Sequence, residues 1–308
     1  MIHLSRCFQL PRCFQLPRCF QLQGHRGARG LLPENTLEGF AGAFAHGVDC
    51  IELDIAITAD GVPVVVHDPV LHPDLVRGRD GRWLAGPPVR VRDLTRRDLH
   101  RYDVGRLRPG SAYASRFAGQ RPRDGARIPA LADVLALAGP AGVVVDIELK
   151  SLADRPELTV SPMAMADAVL RCVAAQPGGR PVVLRSFDWR GLRHVRRGMP
   201  DLTLAYLTSR SSVAAAALWW DGVTPAAFGG SVPHAVAAEA GGRPAIWAPE
   251  HSSLVRDDLI AAQALGLSVM PWTVNEPADM ARLLGWGVNG LCTDYPDRAR
   301  ALRAVRIG

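Results

Sequence analysis

The sequence predicts an α/β chain folded as a (β/α)8 TIM barrel with a small inserted subdomain. Three observations carry this. Eight strand-like runs occur near residues 20, 52, 146, 184, 204, 246, 270 and 292. Most are preceded by a helix-like run, and the polar residues His25, Glu52, Asp54, Glu148, Lys150, Trp272 and Asp294 fall at or just beyond strand C-terminal ends, where barrels keep their sites. That count and alternation favour a barrel over an open doubly wound sheet.

The 308 residues, 48% of them hydrophobic, are enough to bury a full-sized core. No run of 18 or more apolar residues occurs, so a soluble chain without stable membrane insertion is expected. The net charge of +6 rests on 35 arginines and one lysine, Lys150, and the arginines are spread along the chain. This reads as a solvated, arginine-biased surface, because a nucleic-acid module would cluster its basic residues on one face. Of six cysteines, Cys7, Cys13 and Cys19 belong to an N-terminal repeat; Cys50, Cys172 and Cys292 stand apart among apolar neighbours and read as small buried hydrophobes. A reducing, cytoplasmic setting is the expectation.

Residues 6–22 repeat a hexapeptide, Arg6 to Pro11, Arg12 to Pro17 and Arg18 to Leu22. Three copies are too few to stack as a β-helix, and their Arg and Pro break the apolar run of an export signal. Residues 1–17 are therefore expected as a disordered tail, and 18–308 as the barrel domain with Cys19–Leu22 as its first strand. Asn35 or Thr36 caps a helix running through Phe40 and Phe44 to His46. Val48–Ile55 forms the second strand. Thr58-Ala59-Asp60-Gly61 is a turn signal, and with Ala59 and Asp60 at its tip the run Val62–Val66 returns antiparallel and sets His67 opposite Glu52.

From Pro69 to about Arg127 Pro, Gly, Arg and Asp dominate, with one short helical candidate at Val91–His100. A segment of that length reads as an insertion over a site, here residues 69–128. Alternation then resumes. Helices are expected at Pro129–Leu137, Met163–Ala175, Trp189–Arg197, Val213–Trp219, His234–Glu239, Leu254–Leu265 and Pro277–Leu284. Strands are expected at Val143–Glu148, Val182–Arg185, Leu202–Tyr206, Ala245–Ala248, Ser268–Trp272 and Gly290–Thr293.

Glu52 and Asp54 lie two apart on a strand and share a face, as do Glu148 and Lys150. Three carboxylates meeting at one barrel mouth repel unless a cation sits between them, and oxygen-only ligands suit Mg²⁺ or Ca²⁺ rather than zinc. His25 and His67 end strands beside that cluster and are the acid/base candidates, whereas the other histidines read as packing or surface residues. Arg26 is placed to bind a phosphate oxygen. Lys150, the sole lysine, would meet a phosphoryl oxygen as charge develops.

Eight motifs follow one another in order: His25-Arg26-Gly27-Ala28, Pro33-Glu34-Asn35-Thr36-Leu37, Glu52-Leu53-Asp54, Asp60-Gly61 through His67-Asp68, Ile147-Glu148-Leu149-Lys150, Ser186-Phe187, Trp272-Thr273-Val274-Asn275 and Thr293-Asp294-Tyr295-Pro296. The set resembles the glycerophosphodiester phosphodiesterase family. The resemblance implies a barrel enzyme of glycerol and lipid metabolism that cleaves glycerophosphodiesters to sn-glycerol 3-phosphate and an alcohol with a divalent cation. It makes Glu52, Asp54 and Glu148 the metal ligands and His25 and His67 the general base and acid. Arg26 and Lys150 would contact phosphate, Trp272 would pack on the glycerol, and Glu34, Asn35 and Asn275 would support the site. The family's Arg-Thr after the His-Asp pair is replaced here by Asp74-Leu75-Val76-Arg77, and the hexapeptide repeat is foreign to it. Two rivals remain, a related barrel acting on lysophospholipids through an apolar channel at Leu71, Leu75, Val76 and Trp83, and a non-catalytic barrel that binds phosphorylated ligands. The alcohol, the choice of cation and the oligomeric state are left open.

Overall fold

The computed structural model describes residues 21–176 and 181–307. The hexapeptide tract as far as residue 20, and with it the expected strand start at Cys19, lies outside the described residues. The strands are β1 (Gln21–Gly24), β2 (Cys50–Ile57), β3 (Pro63–Val65), β4 (Val144–Leu149), β5 (Val182–Ser186), β6 (Leu204–Thr208), β7 (Ala245–Pro249), β8 (Ser268–Val269) and β9 (Gly290–Thr293). All but β3 run parallel, in the order β8-β7-β6-β5-β4-β2-β1-β9. The two ends of that order meet where Asn289 N donates to Val269 O (3.0 Å) and Cys292 N to Pro271 O (3.0 Å), so the barrel is nearly closed. The strand expected over Ser268–Trp272 is cut short at Val269, since Pro271 has no N–H for a ladder; Trp272 keeps one bridge, to Glu250.

Strand alternation sorts the residues into two layers. Ile51, Leu53 and Ile55 of β2 and Val145, Ile147 and Leu149 of β4 face the helices and belong to the main core. The opposite faces point into the barrel. There Cys50, Val144, Val183, Ala205, Ile246 and Met270 form an apolar plug from six neighbouring strand positions. Further along β4, Asp146 and then Glu148 continue that inward face toward the mouth.

The hairpin departs from its expected register by one residue. Ile55 pairs with Val65 and Ile57 with Pro63, because Gly61 sits at φ 76 and joins Ala59 and Asp60 in a three-residue loop closed by Thr58 and Val62. A slip of one reverses which face a side chain takes, and continued pairing would set His67 opposite Leu53 on the outer face. The strand ends at Val65, and His67 reaches the mouth from the irregular chain beyond it.

Of the two cap candidates it is Thr36 that caps α1 (Leu37–Ala45), its Oγ1 accepting from Gly39 N at 3.0 Å. Asn35 takes φ 54 instead and turns its side chain inward. The expected Val91–His100 helix is a 3₁₀ turn (Val91–Asp93) followed by the short α2 (Arg96–Leu99), and residues 69–128 contain a further short helix, α3 (Ala112–Arg116). These residues bury Leu71, Val76, Val91, Leu99 and Ile128 in a small cluster of their own against Ala56 and Val64. The alanine-rich helix expected at Val213–Trp219 is two short ones, Arg210–Ala214 and Ala216–Trp219. Among the described residues no helix is long and apolar enough to cross a membrane.

Gly27 shapes the turn that carries His25 and Arg26. It adopts φ +88, and a Cβ there would meet the carbonyl carbon and oxygen of Gly39 at 2.8 and 2.9 Å. Gly27→Ala should therefore cost about 1–3 kcal/mol in a urea unfolding experiment, since neither backbone has room to move away.

Candidate active site

The C-terminal mouth of the barrel gathers the three acidic residues expected to hold a cation. One oxygen from each of Glu52, Asp54 and Glu148 lies within 4.8 Å of the others, the one such cluster among the described residues. Local structure orients each carboxylate. Asn35 Nδ2 donates to Asp54 Oδ2 at 2.9 Å, and Arg26 Nε lies 3.2 Å from the same oxygen. Arg26 N donates to Glu52 Oε2 at 3.1 Å, while Lys150 Nζ pairs with Glu148 Oε1 at 3.0 Å. Asp54 Oδ1 is buried without a hydrogen-bond partner. An all-oxygen donor set, with one carboxylate oxygen that makes no hydrogen bond and lies 3.7 Å from Lys150 Nζ, fits a hard divalent cation.

Electrostatics points the same way. Burial raises Glu52 well above the usual carboxylate range, and the charges of Asp54 and Glu148 push it further than Arg185 and Arg26 can offset. Burial also acts upward on Asp54, but Arg26, His67 and Lys150 outweigh it and hold that carboxyl ionised far below its usual range. The cluster thus stores like-charge repulsion that a cation would relieve.

His25 Nδ1 donates to Asp294 Oδ1 (2.7 Å), which leaves Nε2 facing Glu52 at 3.8 Å. Asp294 is itself fixed by Arg29 Nε (2.8 Å) and Asn275 Nδ2 (2.7 Å). Burial, reinforced by the Arg29 charge and opposed by Asp294, lowers the His25 pKa to about 4. His67 pairs through Nδ1 with Asp68 at 2.7 Å and is about a third exposed. Each histidine therefore has one nitrogen held by a carboxylate and the other free for a reacting group.

Both histidines line a cavity of about 200 Å³ with Arg26, Arg29, Glu52, Arg116, Glu148, Lys150, Arg185, Phe187, Leu207 and Trp272. Trp272 is oriented by its Nε1 bond to Ala248 O (2.8 Å) and by Phe187, whose ring meets it edge-on at 5.5 Å. The side chain of Arg26, read from sequence as a phosphate contact, is engaged with Glu34 Oε1 (2.8 Å) and Asp54, so its visible role is to hold acidic residues. Glu34 also accepts from Tyr113 of α3.

Sequence reading gave no role to several of these groups. Asp294 was visible as a strand-end acid, but not as the partner of His25 and Arg29. A second buried network, in which Gln23 Nε2 donates to Asp146 Oδ2 (2.7 Å) and Arg185 Nη1 to Gln23 Oε1 (3.0 Å), reaches the cavity wall through Arg185. Its signal was present: Asp146 lies two residues before Glu148 and so shares its inward face. Tyr113 and Arg116, from the insertion, carried none.

The lowered His25 pKa gives a pH signature in metal-free protein. The folded state keeps this imidazole neutral down to about 4, whereas the unfolded chain protonates it near 6.5, so the unfolded state binds more protons between those values. Stability is fully present above about pH 6.5 and falls toward pH 4, by on the order of 3 kcal/mol. Urea unfolding across that range should show this slope, and His25→Asn should flatten it.

Comparison with known proteins matches residues 25–298 to the model of the glycerophosphoryl diester phosphodiesterase family. The chain is 31% identical to the glycerophosphodiester phosphodiesterase of Bacillus subtilis over 89% of its own length and 83% of that protein's. It is 26% identical to the enzyme of the same description from Caldanaerobacter subterraneus subsp. tengcongensis, over 89% and 93% of the two chains. Among solved structures, a candidate glycerophosphoryl diester phosphodiesterase from Silicibacter pomeroyi superposes with a TM-score of 0.84 at 36% identity, covering 94% of this chain and 95% of that one. A phosphodiesterase from Oleispira antarctica, solved with its product sn-glycerol-3-phosphate, shares the fold at a TM-score of 0.66 and 20% identity, covering 92% of this chain and 96% of that one.

Proposed function

The chain belongs to the glycerophosphoryl diester phosphodiesterase family, and we propose that its barrel mouth hydrolyses glycerophosphodiesters to sn-glycerol 3-phosphate and an alcohol. The observation that carries the reading is the convergence of Glu52, Asp54 and Glu148 with His25, His67 and Lys150 around one cationic cavity. Glu52, Asp54 and Glu148 would hold Mg²⁺ or Ca²⁺. When bound, that ion supplies Lewis-acid stabilisation of the negative charge on the phosphoryl oxygens.

The protein's own groups do the rest. Lys150 Nζ, 3.0 Å from Glu148, is held at the cavity wall to meet a phosphoryl oxygen. His25, neutral at physiological pH and aligned by Asp294, accepts the proton of the nucleophile, a glycerol hydroxyl or water, at Nε2. His67 gives a proton to the departing alkoxide from its nitrogen opposite Asp68. Trp272 and Phe187 form an aromatic wall for the glycerol moiety. Hydrolysis of glycerophosphocholine, measured after chelation and after adding back Mg²⁺ or Ca²⁺ separately, tests the scheme; full turnover in chelator overturns it.

One observation bears on the lysophospholipid reading. A second, apolar slot lined by Val65, Val66, Leu75, Val76, Val104 and Leu107 adjoins the cavity at His67. Leu71 is buried in the insertion's own cluster and Trp83 lies against Arg77, so neither lines it. At about 40 Å³ the slot is small beside the neighbouring cavity, which favours a short alcohol over a long acyl chain. Glycerophosphocholine should be cleaved faster than a long-chain lysophospholipid.

A further inference from the structure

The cavity holds five basic side chains, and four of them are paired to carboxylates. Arg26 meets Glu34 and Asp54, Arg29 meets Asp294, Lys150 meets Glu148, and Arg185 meets Asp146 at 3.2 Å. Arg116, at the last position of α3, is exposed and has no carboxylate partner among the described residues; its guanidinium lies 5.4 Å from the Phe117 ring. Phe117 is buried and carries the Arg29 guanidinium 4.7 Å from its centroid, so the ring anchors Arg116 at the rim beside a second, neutralised arginine.

An unpaired guanidinium lining a phosphodiester cavity has an anion to meet. The phosphodiester charge is already addressed by Lys150 and the carboxylate-held cation site in the reading above, on which this inference rests. Glycerol is neutral, so a second anionic group must belong to the alcohol. Chain connectivity agrees with that assignment. Phe187 and Trp272 form the wall on the β5 and β8 side, whereas His67, which would protonate the leaving alcohol, follows the β3 arm that opens the insertion, and Arg116 comes from the insertion itself. We propose that Arg116 is a specificity-determining residue that selects glycerophosphodiesters whose alcohol carries a carboxylate or phosphate over those with a cationic alcohol.

The test compares kcat/KM for three diesters on the full chain: glycerophosphoglycolate with an anionic alcohol, glycerophosphoglycerol with a neutral one, and glycerophosphocholine with a cationic one. The wild-type protein should prefer the glycolate diester to the choline diester. Arg116→Gln should lower that preference ratio by at least about fivefold, Arg116→Glu should reverse it, and Arg116→Lys should retain most of it. Added salt should compress the wild-type ratio, because the contact lies at an exposed rim. A ratio unmoved by Arg116→Glu, or an equal loss on all three diesters, overturns the proposal and leaves the phosphodiesterase reading standing. Turnover of none of the three by the wild-type protein overturns both.

Discussion

Replacing His67 with alanine should lower kcat for glycerophosphodiester hydrolysis by about 10²–10⁴-fold, the usual contribution of a positioned acid or base. Folding should be nearly unaffected, since His67 lies beyond the last paired residue of β3 and its polar partner is the partly exposed Asp68. His25→Ala should lose a similar factor in rate with a larger stability change, because His25 is buried against Asp294. Leaving-group chemistry separates the two roles. A glycerophosphodiester of p-nitrophenol, whose anion departs without a proton, should restore much of the rate in His67→Ala and little in His25→Ala. Equal rates of His67→Ala and wild type on glycerophosphocholine would remove His67 from the mechanism.

Glu52→Gln should weaken divalent-cation binding by at least about 10²-fold and reduce activity correspondingly, with partial recovery at high cation concentration. The same substitution should stabilise the metal-free protein. Glu52 is the carboxyl that burial and its two acidic neighbours push hardest toward neutrality, so a neutral amide of equal size relieves repulsion there. Opposite signs for stability and activity distinguish a cation-holding carboxylate from a merely structural one, whose loss would lower both. Thermal denaturation gives a second readout independent of turnover. Added Mg²⁺ or Ca²⁺ should raise the wild-type Tm as the logarithm of its concentration, and the rise should be much smaller in Glu52→Gln. A Tm indifferent to both cations would count against the carboxylate site.

Much of the site was legible because strands write their geometry into sequence. Residues two apart share a face, so Glu52-Leu53-Asp54 and Glu148-Leu149-Lys150 declared which side chains point inward before any contact was known. The barrel was legible for a related reason, since alternating apolar runs of strand and helix length leave few architectures open. The hairpin was half legible. Its turn was marked by Asp60-Gly61, but the left-handed conformation at Gly61 lengthened the loop to three residues and moved the register by one. The arm still delivers His67 to the mouth, because the chain leaves the sheet before alternation would have turned that residue outward.

The sequence by itself determined the fold class and which acidic side chains share the inward strand face, both of which depend on periodicity within single elements. Only the tertiary structure decided who partners whom. Asp294 meets His25 across 269 residues, Tyr113 meets Glu34 across 79, and Arg185 reaches Gln23 across 162. Nothing local encodes such pairs, since each forms only when barrel closure brings distant chain segments within hydrogen-bond range. The unpaired charge of Arg116 is known for the same reason: it emerges only once every other basic side chain in the cavity has found its acid.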